Sequence, residues 1–141
     1  MKKTASGFRK IIILSALFWG AILSAGCSTP SEFEMQQLAK QIVDNDRKFE
    51  QRVSAIRRLS TGQTKEALVK LENCLIELED SDLVVFELVK AIGNYNTPDS
   101  RKVLRDFLES RKELSGKIRA AAISYIKEAE EEQKTPAKIQ K

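Results

Sequence analysis

The sequence predicts an all-α domain, a short array of antiparallel helix pairs. Three observations predict it: apolar residues recur at helical spacing from residue 31 to about residue 132, no stretch alternates as a strand would, and one apolar pattern returns at a nearly constant interval.

Ser31 opens the first helix, 31–43, because Glu34 completes an S-x-x-E capping box. "DND" at 44–46 either breaks that helix or forms the polar face of a longer one, since Met35, Leu38, Ile42, Phe49, Ile56 and Leu59 also make one continuous seam. The second helix spans 47–60 and ends in "STGQT", where Gly62 stops it and Thr64 caps the third, 64–79. "DSD" at 80–82 supplies Ser81 as the cap of the fourth, 82–94. "GNYNTPD" at 93–99 is the clearest turn: Thr97 caps, and Pro98 takes the first helical position of 98–112, where its missing N–H costs nothing. "ELSG" at 113–116 precedes the last helix, 116–132. The tail, 133–141, loses periodicity, crowds charge and carries Pro136, so it is expected to be disordered.

The repeat lies in the second, fourth and sixth helices, the A helices. Val53, Ala55, Ile56 and Leu59 are followed 33 residues later by Phe86, Leu88, Val89 and Ile92, and 34 later again by Ala120, Ala122, Ile123 and Ile126. The B helices between them correspond as well, with "ALVKL" at 67–71 and "VLRDF" at 103–107 displaced by 36. Such alternation implies stacked pairs, each burying the apolar face of the next. In this reading 31–46 is a capping helix and 47–132 the repeat array.

Residues 47 to 127 resemble the HEAT repeat of the armadillo-type superfamily, carried by "AIG" at 91–93, "TPDSRKVL" at 97–104 and "IRAAAISYI" at 118–126. The resemblance implies a right-handed α-α superhelix whose B helices line a partner-binding face. Tetratricopeptide repeats have a similar length, but their patterned Trp, Gly and Tyr positions are absent from these helices.

Ahead of the array, Lys2, Lys3, Arg9 and Lys10 precede a charge-free apolar run, 11–25, which is the layout of an export signal and is shorter than the roughly 20 residues of a spanning helix. The run leads through Ala25 and Gly26 into Cys27. This resembles the lipobox of bacterial lipoproteins, with Ser24 where that family usually has leucine. The resemblance implies cleavage between Gly26 and Cys27, a covalent lipid on Cys27 and, because Ser28 is not Asp, the periplasmic leaflet of the outer membrane in a Gram-negative host, or the outer face of the cell membrane otherwise. Residues 27–30 then form a short tether reaching about 10 to 15 Å.

The formal charge of +4 belongs to that leader. Residues 1–26 hold four Lys/Arg and no Asp/Glu, which leaves 20 basic against 20 acidic residues and no electrostatic footprint for nucleic acid. There is no histidine, so the commonest general base and metal ligand is missing, and neither metal nor cofactor is expected. Cys74, with Leu71, Leu75 and Leu78 at helical spacing, reads as a buried small hydrophobe. The expected function is therefore a lipid-anchored scaffold or adaptor with a protein partner. A HEAT-like bilin-lyase-type enzyme and a structural envelope lipoprotein are the alternatives. The candidate binding face combines acidic Glu66, Glu72, Glu77 and Glu79 on the first B helix with basic Arg101, Lys102, Arg105, Arg111 and Lys112 on the second.

Overall fold

A computed structural model describes residues 28–78, 82–111 and 113–134. The described residues form α1 (Glu32–Val43), α2 (Phe49–Leu59), α3 (Lys65–Glu77), α4 (Asp82–Gly93), α5 (Pro98–Ser110) and α6 (Gly116–Lys134), with no strand among them. Residues 1–27, where the sequence places the expected leader and Gly26 and Cys27, lie outside the described residues, as do Glu79, Ser81, Lys112 and the tail from 135 onward.

The caps behave as their chemistry dictates. The side chain of Ser31 accepts from Glu34 N, Thr64 from Ala67 N and Thr97 from Ser100 N, at 3.3, 3.2 and 3.1 Å. "DND" is a break and not a polar face. Asp44 ends α1, its Oδ1 accepts from Asp46 N at 3.1 Å, its carboxylate pairs with Arg47 at 3.2 Å, and α2 starts after Lys48. Gly62 has φ +82°, a conformation that L side chains resist.

Among the described residues each helix packs against the next and the next but one, and against no others. That pattern makes two layers, α1, α3 and α5 in one and α2, α4 and α6 in the other, with short turns reversing the chain between them. The first helix is therefore a B helix in its own right, beside α3, instead of an added cap. Its core residues Met35, Leu38 and Ile42 stand 33 residues before Leu68, Leu71 and Leu75, all buried. The N-caps Ser31, Thr64 and Thr97 are spaced by the same 33. The domain is three helix hairpins, starting at 31, 64 and 97.

This spacing corrects the sequence alignment at two places. In α6 the buried positions are Ile118 and Ala122, and Ile118 is 1% exposed against 37% for Ile123. Ala120 is exposed and Ile126 half-buried, so α6 aligns with α4 at 33 residues, not 34: Val85, Leu88, Val89 and Ile92 match Ile118, Ala121, Ala122 and Tyr125. Likewise α5 follows α3 at 33 instead of 36. Shifts of 33 and 36 differ by about one helical turn, so an apolar stripe matches itself at either.

Within the second layer, α4 and α6 approach closely. A Cβ on Gly93 would lie 2.6 Å from Tyr125 Cδ1 and nearer still to Cγ, so only glycine lets that ring seat. Tyr95, in the turn after α4, is buried, and its hydroxyl lacks a hydrogen-bond partner. Burial disfavours the phenolate and pushes the pKa of the hydroxyl up to about 12 from an ordinary value of 10. Tyr95→Phe is accordingly expected to leave stability unchanged or raise it by about 1 kcal/mol, read by urea denaturation. The unfolded chain ionises first as pH passes 10, so wild-type stability should decline between pH 10 and 12, and the variant should decline less.

Candidate binding groove between the B helices

Three and a half turns of α3 and of α5 run side by side in the B layer, and their outward faces leave a groove between them. Two adjoining depressions make it up. One, of about 240 Å³, is lined by Leu75, Ile76, Val103, Phe107 and Ser110, and the other, of about 220 Å³, by Leu68, Val69, Lys65, Lys102 and Asp99. Glu72, Val103 and Asp106 border both, so they are continuous. Val69 and Ile76 are 45% and 66% exposed, although each is a β-branched apolar side chain on a helix.

Of the residues expected to form a binding face, Glu72 and Lys102 border this groove. Glu66 and Arg105 are exposed but line neither depression. Arg101 is a correction: it is 7% exposed, not displayed, and donates from Nη1 to Asn96 Oδ1 at 3.4 Å. The 33-residue spacing explains it, because Arg101 occupies the place that Met35 and Leu68 hold in the first two hairpins. Arg111 is also turned inward. Its Nη2 donates to the carbonyls of Leu75 and Ile76, both at 3.0 Å, and its guanidinium lies 5.3 Å from the centre of the Phe107 ring. It thereby supplies the last turn of α3, which has no basic residue of its own, with the cation that its free carbonyls favour.

The strips of opposite charge do not persist as read. Lys102 pairs with Asp106 on its own helix at 3.3 Å, and Asp99 adds a further carboxylate beside it. What the sequence reading missed is the apolar floor, Val69, Ile76, Val103 and Phe107. Val69 and Ile76 were legible as apolar residues seven positions apart on the side of α3 away from Leu68, Leu71 and Leu75.

Cys74 is buried on the side of α3 that faces α1, with Sγ 3.7 Å from the Ala39 carbonyl. Burial, with Glu77 nearby, pushes its thiol up to about 12. The folded protein should therefore show no reaction of Cys74 with a maleimide at pH 7, and full reaction in denaturant; labelling read by mass would check both.

Among the described residues no helix is long and apolar enough to cross a membrane. The three capped hairpins, each two helices long and stacked at a period of 33, are the geometry of a helical repeat domain. A family model described as the vitellogenin TPR domain matches residues 17–141. The chain belongs to the vitellogenin TPR domain family. No curated protein and no solved structure matches it.

The match reverses the exclusion of tetratricopeptide repeats made from missing Trp, Gly and Tyr positions. In this vitellogenin TPR domain a glycine and a tyrosine do meet, Gly93 against Tyr125, but they come from different A helices and so form no motif along the chain. The matched span starts at residue 17, inside the apolar run that precedes Cys27.

Proposed function

We propose that this vitellogenin TPR domain is a lipid-anchored protein-interaction module of a bacterial envelope, non-enzymatic, docking its partner in the groove between α3 and α5. The observation that carries the docking surface is the exposure of Val69 and Ile76 along a groove floored by Val103 and Phe107. The two side chains lie two turns apart on α3, about 10 Å at 1.5 Å per residue. An amphipathic helix with apolar residues one heptad apart matches that spacing, and basic residues flanking its apolar stripe would meet Glu72 and Asp99. Val69 and Ile76 stay exposed along the groove, which favours side-chain knobs over an enclosed ligand. The anchor rests on the export-signal layout and on Cys27.

The test is site-specific photocrosslinking in the native envelope from position 76, with position 49, on the far layer, as control. One stoichiometric protein is expected from position 76 alone. Ile76→Asp should lower its recovery at least tenfold, about 1.4 kcal/mol. Equal recovery from the Asp variant would sink the groove as the docking surface. Cell-wall co-sedimentation without a crosslinked protein would point to a structural lipoprotein, and turnover of a bound chromophore to an enzyme.

A further inference from the structure

The outward face of the B layer continues past the groove onto α1. Phe33, Gln37 and Lys40 are exposed on the side of α1 opposite the buried Met35, Leu38 and Ile42, and Glu66, Val69, Asn73 and Ile76 form the corresponding outward stripe of α3. Phe33 is 71% exposed, more than any other large apolar residue described. The N-caps Ser31, Thr64 and Thr97 set Phe33, Glu66 and Asp99 at one place in successive B helices, so an aromatic ring stands in a row whose other two members are carboxylates. The exposed charges in the first turns of these helices are Glu32, Glu66 and Asp99 against Lys65. The long helix α6 belongs to the other layer and packs on α4 and α5 alone, so among the described residues it leaves this face open.

A helix seated between α3 and α5 does not reach that ring. Packed helices lie about 8–10 Å apart, which puts the axis of α1 about 12–15 Å from the midline of the groove. A helix with its side chains has a radius of only about 5–6 Å. Ring and groove therefore need two elements of a partner, held in fixed relation to each other.

Resting on the groove reading above, we infer that Phe33 is a third anchor of the same docking surface and that the partner is a folded protein with a basic face. One helix of it fills the groove over Val69 and Ile76, and a neighbouring element receives the Phe33 ring in an apolar socket bordered by lysine or arginine. An isolated amphipathic helix does not suffice. Aromatic anchors of this kind carry much of the binding energy of an interface, because a rigid ring offers large area at low rotamer cost. The carboxylates of Glu32 and Glu66 beside the ring match a basic rim, which steers association and selects against acidic partners. Glu66 thus joins the binding face through its place beside α1, although it lines neither depression.

The test adds a photocrosslinker at position 33 of the full-length protein, in the native envelope, to the one at position 76, and maps both crosslinks to peptides by mass. Both positions are expected to capture one and the same protein, at two separate segments of its chain. Phe33→Ala should lower capture from position 76 about tenfold. Its midpoint in urea should not move, since the ring is exposed. Glu66→Lys should also lower that capture, and unchanged capture would overturn the basic character of the partner. Capture from position 76 with no crosslink at 33, with a different protein or lipid at 33, or with both crosslinks in one helix overturns the third anchor and leaves the groove standing. Unchanged capture in Phe33→Ala does the same. Capture from neither position overturns both.

Discussion

Gly93→Ala is expected to destabilise the domain by about 2 kcal/mol, although alanine is the better helix former by up to about 1 kcal/mol. The added methyl would overlap the ring of Tyr125 near its root, where the ring cannot swing aside without leaving the layer. Helix propensity alone predicts the opposite sign, so the sign of the change is the test. In a Tyr125→Ala background the same substitution should become neutral or stabilising. A urea-denaturation double-mutant cycle reads the coupling directly, and additive effects would mean that the close approach of α4 and α6 is not maintained in solution.

The second large effect is at Arg52. It is buried at the α1–α2 contact, where Nε donates to the Ile42 carbonyl at 2.6 Å while Nη2 has no partner. That carbonyl lies in the last turn of α1 and has no donor within the helix. Arg52→Ala removes a charge-assisted bond and the packing of the aliphatic stem, for an expected loss of about 3 kcal/mol. The other two hairpins place Val85 and Ile118 here, so the site accepts apolar bulk. Arg52→Met should therefore cost less than about 1 kcal/mol, because it also removes the unpartnered nitrogen. If Met costs as much as Ala in a thermal melt, the bond to Ile42 carries the whole effect and the stem none.

Arg52 and Arg101 show why a charged face was harder to read than a fold. Both hold positions that are apolar in the neighbouring hairpins, and both look like surface residues when each helix is read by itself. A long aliphatic stem can lie in a core while its head finds a carbonyl or an amide, so charge in the sequence is not exposure in the fold. Arg111 differs: it sits past the end of α5, and its target carbonyls are 35 and 36 residues away. Conversely, Val69 and Ile76 are apolar yet uncovered, and a single sequence does not say which apolar residues lack a neighbouring helix to cover them.

The sequence by itself determined most helix ends, while the break at "DND" was left to the structure. Serine and threonine caps, the proline of "TPD" and the glycine of "TGQ" act within one or two turns, and local hydrogen bonding decides them without help from distant residues. It also determined that the domain is all-α and repetitive. Only the tertiary structure decided the register of the repeats, the membership of α1 in the B layer, the burial of Arg101 and the seating of Tyr125 on Gly93. Helical periodicity is nearly unchanged by a shift of one turn, so a stripe names the buried face but not the residue it meets. That choice belongs to packing, where one methyl group or one carbonyl is enough to settle it.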